Sequence, residues 1–223
     1  MRPALLLLAL LCAAPARSEG LDLTQAERAA FRAEVRAAIL ADPEPIERAL
    51  TPPAADLYSE NVAEDRARLE ANMTLFDRTE RGFGAENPRL TLVFFESYPC
   101  ADCAAAWAEL EALMARHDDI RVEPRFAAES GVAQLLLSLL DREGAEAYRA
   151  ARAKLMAATT GEELARVLDE GRWIQDRMLR PAPRLEAEAF QALELESAPA
   201  LVLPDMMLQG SIPAIVLEKY VAE

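Results

Sequence analysis

Two cysteines three residues apart, Cys100 and Cys103, are the residues of this chain best suited to chemistry. They flank Ala101-Asp102 and follow the apolar run Leu90-Thr91-Leu92-Val93-Phe94-Phe95. A strand that empties into Cys-x-x-Cys and then a helix is the layout of a thiol–disulfide exchange site. One thiolate must attack a disulfide sulfur, and a second thiol must resolve the mixed disulfide. The spacing puts the first cysteine at a helix N-terminus, where the dipole and free N–H groups favour a thiolate, and the second one turn inside. Cys100 is therefore the expected nucleophile and Cys103 the resolving thiol. A purely structural disulfide is the weaker reading, because so short a loop removes little entropy from the unfolded chain.

Charged neighbours modify that expectation. Asp102 sits beside Cys100 and disfavours its thiolate, which makes the disulfide a weaker oxidant. Glu96 adds to the effect if it points inward. Asp102 also reads as a solvated charge in the first helical turn, where the same dipole stabilises it. His117 is the single histidine and falls near the end of the same helix, a favourable place for an imidazolium rather than a catalytic one. A zinc or copper site needs more ligands than two cysteines and one histidine, so no metal and no cofactor is expected. Two-thiolate Cu(I) binding is the chemical alternative, since soft thiolates select Cu(I). Met206 and Met207 could supply thioethers, but core packing is their ordinary use. Trp107 and Trp173 read as core. Asn72-Met73-Thr74 matches a glycosylation acceptor but falls inside an expected helix and carries no weight here.

The elements that must hold these residues can be read from periodicity. Residues 24–41 form an amphipathic helix, with Thr24 and Glu27 as a capping box and Phe31, Val35, Ala38 and Ile39 on one face. Asp42-Pro43-Glu44-Pro45 stops it. A short helical piece over 46–50 and a stiff turn over 51–55 follow. A second helix covers 59–76, marked by Val62, Leu69, Met73 and Phe76. Gly82-Phe83-Gly84 makes a turn or short edge strand. Leu90–Phe95 reads as a strand buried on both faces. After the helix over 100–116, Ile120 and Val122 alternate with charges in a second strand that Pro124 ends. The pattern is then helical over 131–140, 143–156, 162–168, 173–179 and 184–193. Strands return at 200–203 and around 207–209, and Ser211 and Pro213 open a last helix over 214–221.

Composition bounds the class. Among 223 residues there are eight glycines and four tyrosines against abundant Ala, Leu, Glu and Arg, which favours a mostly helical protein. Residues 1–16 read as a secretory signal: Arg2, an apolar run over 5–11, and Ala14-Pro15-Ala16 as a cleavage site. The run is too short to span a bilayer. Leu10 and Leu11 before Cys12 argue against a lipid-modified cysteine. Removing the segment deletes Arg2 and Cys12, taking the net charge from -14 to -15 and leaving two cysteines. Such acidity disfavours nucleic acid and anionic membrane surfaces. An exported chain meets an oxidising compartment.

The order strand–helix–strand, helical insert, strand–strand–helix predicts an α/β chain: a thioredoxin fold with an inserted helical domain and an N-terminal helical extension. The expected parts are a signal at 1–16, an extension at 17–58, thioredoxin-fold segments at 59–126 and 196–223, and the insert at 127–195. In that fold Ser197-Ala198-Pro199, directly before the strand at 200–203, carries a cis proline facing the disulfide. Ala198 and Pro199 then become the expected substrate-binding residues.

On these residues the chain resembles the DsbA-like family of exported thiol–disulfide oxidoreductases, above all its ScsC-like branch with an N-terminal helical extension. Residues 36–50, Leu90–Phe95, Asp141-Arg142-Glu143-Gly144 with Tyr148, Ser197 to Asp205, and Gly210 to Pro213 carry the likeness. It runs from about residue 29 to the C-terminus. It implies a periplasmic disulfide oxidase or isomerase with a CADC site, acting on cysteine-containing exported proteins and recycled by a membrane redox partner. The N-terminal helices are expected to form a homo-oligomer, or else to fold back on their own domain. Three positions depart from the family. Phe94 stands where a carboxylate is frequent, Ala101-Asp102 replaces Pro-His or Pro-Tyr, and Ala198 replaces Thr or Val. They bear on oxidase strength and substrate choice, and a non-catalytic binding protein is the rival reading.

Overall fold

The computed structural model describes residues 23–43, 56–173 and 178–221. The chain divides into two units, Met1–Leu57 and Tyr58–Glu223. The expected signal at 1–16, the helical piece at 46–50 and the turn at 51–55 lie outside the described residues.

In the first unit, α1 spans Gln25–Ala41. Thr24 caps it: the Thr24 hydroxyl accepts from the Glu27 amide, and the Thr24 amide donates to the Glu27 carboxylate at 2.8 Å, the expected capping box. No residue of α1 is buried, and Phe31, Val35, Ile39 and Leu40 are exposed.

Helix α2, Asp56–Ala71, begins two residues before the second unit and is followed there by a 3-10 turn at Met73–Phe76. The single helix expected over 59–76 is thus broken at Asn72, whose side chain donates to the Arg68 carbonyl at 2.9 Å, a local bond that competes with helix continuation. Then come β1 (Phe83–Gly84), β2 (Leu90–Glu96), α3 (Ala101–Met114), β3 (Ile120–Phe126), α4 (Gly131–Met156), α5 (Gly161–Gly171), α6 (Ala182–Ala192), β4 (Ala200–Val202), β5 (Met207–Gln209) and α7 (Ala214–Val221).

Among the described residues the five strands run in the order β1-β3-β2-β4-β5. The central strand β2 pairs parallel with β3, from Leu90 opposite Ile120 to Glu96 opposite Phe126, and antiparallel with β4. A parallel pair joined through a helix is the strand–helix–strand unit expected from the sequence. Alternation divides β2 between two cores. Leu92 and Phe94 pack with Trp107, Leu110 and Leu217. Val93 and Phe95 pack with Leu69, Leu75 and Phe190 on the other face. The insert has its own cluster, with Leu136, Leu139, Tyr148 and Leu155 of α4 and Leu164 of α5 meeting Phe126.

Two expectations here need correction. Pro124 does not end β3, which runs on to Phe126. The edge strand β1 pairs only with Arg121 and Val122, so beyond them this side of β3 has no strand partner among the described residues, and the proline's missing N–H is tolerated. The two helices expected over 131–140 and 143–156 are present as the two arms of α4, separated by a non-helical break at Gly144 with φ 86°, a conformation glycine adopts without steric cost. The helix expected over 173–179 has its centre outside the described residues, and Trp173 and residues 178–180 are not helical.

Nor do the charges of β3 face water. Arg121, Glu123 and Arg125 are all buried. Glu123 accepts from the Thr79 amide at 3.1 Å, the Thr79 hydroxyl at 2.6 Å, Arg121 Nε at 2.6 Å and an Arg125 Nη at 3.2 Å. Arg125 also donates to the carbonyls of Leu75 and Asp77 at 2.6 and 2.8 Å. Arg81 pairs with both oxygens of Glu186, which also accepts from the Phe126 amide at 2.9 Å. This network fastens residues 75–81 and α6 to β3. Burial opposes ionisation of Glu123, but the Thr79 and Arg121 bonds outweigh it and hold the carboxyl below its ordinary range.

Candidate active site

β2 ends at Glu96, and three residues later Cys100 takes the N-cap position of α3 in an extended conformation. Its Sγ accepts from the Cys103 amide at 3.0 Å, so the sulfur occupies the place of a capping oxygen. A negative charge developing on that sulfur meets the positive end of the helix. Cys100 and Cys103 are joined in a disulfide, with Cα atoms 5.2 Å apart. The two sulfurs have unlike surroundings. Cys100 is half-buried, whereas Cys103 is fully buried on the inner face of α3 with Ala106, Trp107 and Leu110. Asp102 projects to solvent in the first turn of α3.

The second expected element is brought to the first across the sheet. The Ala198–Pro199 peptide is cis, and the Ala198 carbonyl oxygen lies 4.0 Å from Cys100 Sγ. The loop is held from both sides. Gln209 Oε1 accepts from the amides of Glu196 and Ser197 at 2.8 and 3.2 Å, and the Pro199 carbonyl accepts from the Gly210 amide at 2.8 Å. Pro199 is buried and Ala198 half-exposed, so the backbone face presented beside the disulfide is that of Ala198. A second cis bond, Tyr98–Pro99, stands directly before Cys100. Sequence reasoning missed it; the signal available was a proline next to the helix cap.

Phe94 is 1 % exposed in the cluster that holds Cys103, its ring 5.6 Å from that of Trp107. Glu96 does point inward, as the sequence allowed, but not as a free base. Arg152 Nε lies 3.1 Å from each of its oxygens, Arg152 Nη2 donates to Oε2, and the Tyr98 hydroxyl donates to Oε1 at 2.7 Å. Burial works against the charge of Arg152, but Glu96 outweighs it and raises its affinity for the proton. Burial, reinforced by Glu96, pushes the Tyr98 hydroxyl well above its usual range. Nothing local in the sequence pointed to Arg152, which is 56 residues from its partner.

His117 lies past the far end of α3, its Nε2 3.9 Å from a Glu218 oxygen, away from the disulfide. Met206 packs on the cluster that contains Cys103, while Met207 packs on the opposite face of the sheet. Among the described residues no group of three or more His, Cys, Asp or Glu side chains gathers as a metal site. Trp107 is core, and Trp173 is half-buried against the cluster of the insert.

No family model and no curated protein matches this chain. Solved structures do. A linker-deleted ScsC variant from Proteus mirabilis superposes with a TM-score of 0.62 at 20% identity, covering 92% of this chain and 97% of that one. The catalytic domain of the same ScsC gives 0.60 at 21% identity over 70% and 96% of the two chains. The thiol-disulfide exchange protein alpha-DsbA2 from Wolbachia pipientis gives 0.57 at 16% identity over 74% and 97%. At such identities the likeness is one of fold. The chain has a thioredoxin fold carrying an inserted helical domain, and its architecture is that of the ScsC and DsbA2 structures.

Proposed function

We propose that this chain is a periplasmic thiol–disulfide oxidoreductase acting on cysteine-containing exported proteins through Cys100 and Cys103. The observation that carries the reading is the half-exposed sulfur of Cys100. It caps α3, with its partner sulfur buried and the Ala198 carbonyl 4.0 Å away.

In the oxidising direction a client thiolate attacks Cys100 Sγ. The client–Cys100 bond forms, the Cys100–Cys103 bond breaks, and Cys103 leaves as a thiolate that takes up a proton. A second client thiolate then attacks the client sulfur of the mixed disulfide, and Cys100 leaves as a thiolate. Two electrons pass from the client dithiol to the enzyme disulfide. Read backwards, the same steps reduce or reshuffle a client disulfide. The N–H of Cys103 and the dipole of α3 stabilise the Cys100 thiolate in both directions. Ala198 and Pro199 hold the extended client segment beside the sulfur.

The lean within the class is toward isomerase or reductase. Asp102 lowers the stability of the Cys100 thiolate, and the exposed apolar face of α1 suits a homo-oligomer built through the N-terminal helices. A membrane redox partner recycles the pair.

Equilibration of the purified protein with glutathione redox buffers tests the class. Reversible interconversion of dithiol and disulfide is expected, together with catalysed insulin reduction that Cys100→Ser abolishes. A pair inert to the buffer, or tight Cu(I) binding that blocks exchange, overturns it in favour of a non-catalytic binding protein.

A further inference from the structure

One side chain of the inserted domain touches both elements that lead into and out of the cysteine pair. Arg152 lies on α4 beyond the break at Gly144 and is 2 % exposed. On one side it binds Glu96, the last residue of β2, which in turn holds the Tyr98 hydroxyl. Tyr98 leads through Pro99 into Cys100. On the other side the guanidinium carbon stands 3.7 Å from the centre of the Trp107 ring, one helical turn beyond Cys103 on α3. Phe83 of the edge strand closes the stack at 5.1 Å.

The other groups facing Glu96 are few. Tyr148, also on α4, has a fully buried hydroxyl with no hydrogen-bond partner. Arg81 acts on Glu96 electrostatically but is already paired with Glu186. Arg152 therefore supplies the charge that directly balances Glu96. Replacing a buried ion pair by apolar side chains of the same volume is often neutral or stabilising. Packing alone gives no reason for two charges here. Their contacts with Tyr98, two residues before Cys100, and with Trp107, which shares a cluster with Cys103, do.

We propose that Arg152 is a positioning residue for exchange at Cys100–Cys103: by neutralising Glu96 and clamping it between Tyr98 and Trp107, it fixes the 97–99 turn and keeps the charge beside that turn balanced. The inserted domain thus sets the poise of the pair. This rests on the oxidoreductase reading above.

The test is the glutathione equilibrium, in which one enzyme disulfide and two glutathione thiols give one enzyme dithiol and one glutathione disulfide. Glu96→Gln leaves the Arg152 cation unbalanced, favours the Cys100 thiolate and moves the equilibrium toward dithiol. Arg152→Gln leaves the Glu96 anion unbalanced and moves it toward disulfide. Shifts of about tenfold in opposite directions are expected for an unbalanced charge in a protein interior. The double variant E96Q/R152Q, with both charges gone, is expected near the starting value. A role confined to packing lowers the melting temperature of both single variants but gives no pair of opposite redox shifts. Equal equilibria in all variants, or single-variant shifts of the same sign, overturn the proposal. If Arg152→Gln does not fold by circular dichroism, the Glu96→Gln shift decides alone, and its absence overturns the proposal. Failure of the unsubstituted protein to exchange at all instead overturns the oxidoreductase reading.

Discussion

Phe94 and Cys103 lie in one apolar cluster, with the phenyl ring two strand residues before Glu96 and the sulfur fully buried. The position six residues before the first cysteine therefore offers no proton acceptor. The carboxylate that does enter the interior, Glu96, is occupied by Arg152 and Tyr98. The two sulfurs of the site thus differ in access as well as in their place on α3: Cys100 is half-buried at the helix cap, and Cys103 lies among apolar side chains.

That difference sets an order of reactivity. In the reduced protein, iodoacetamide is expected to alkylate Cys100 at least tenfold faster than Cys103. Peptide mass spectrometry over a time course measures it. With Cys103→Ser a mixed disulfide with a client or glutathione accumulates on Cys100, and with Cys100→Ser none forms on Cys103. Equal alkylation of both cysteines refutes the assignment of attacking and resolving roles.

Asp102 is exposed in the first turn of α3, one residue before the buried sulfur. Asp102→Asn removes an anion near the Cys100 sulfur and is expected to move the glutathione equilibrium toward dithiol by about threefold to tenfold, the lower figure if solvent screens the charge. The effect shrinks at high salt. A shift toward disulfide would show that the carboxylate stabilises the reduced site instead.

The buried charges of β3 give a pH dependence. The carboxyl of Glu123 is held below its ordinary range in the folded protein. A depressed carboxylate contributes stability that is fully present above its unfolded value, near 4.3, and is lost as pH falls through the folded value. Melting temperature is therefore expected to drop on acidification below about pH 5. Glu123→Gln leaves Arg121 and Arg125 without their shared partner and is expected to cost about 3–5 kcal/mol at neutral pH. Its stability should also depend less on pH in the acid range. An unchanged acid limb of the melting curve would assign that limb to other carboxylates.

Phe31, Val35 and Ile39 form an exposed apolar stripe on α1. If that stripe joins copies of the chain, Phe31→Glu with Ile39→Glu is expected to reduce the mass seen by light scattering to that of one chain, with insulin reduction per site retained or raised. The same mass in both proteins would refute oligomerisation through α1.

What the sequence made legible was local. The Cys100 cap, the Thr24–Glu27 capping box and the short edge strand at Phe83–Gly84 each depend on neighbours within a few residues. The alternation of Leu92, Val93, Phe94 and Phe95 between two cores could also be read, because a continuous apolar run implies burial on both faces. The position of Pro199 came from the order of the elements rather than from Ser197-Ala198-Pro199 itself. The buried polar partners were not legible. Glu96 finds Arg152 across 56 residues and Arg81 finds Glu186 across 105, and only the folded chain brings them together. The charges of β3 look like the wet face of a half-exposed strand until Thr79, Arg81 and Glu186 cover them. Pro124 reads as a terminator because its tolerance depends on where the neighbouring strand β1 ends.

The charges buried in β3 have a second consequence, for the chain before it folds. Leu90 to Phe95 is six residues without charge or proline, the composition that stacks into intermolecular β-structure. Its native neighbour is Ile120-Arg121-Val122-Glu123-Pro124-Arg125-Phe126, which carries three charges and a proline and cannot stack on copies of itself in the same way. An unfolded chain therefore exposes one strand prone to self-association and one resistant to it. The two arginines and the glutamate that bind Thr79 and neighbouring carbonyls in the folded state act as gatekeepers in the unfolded one.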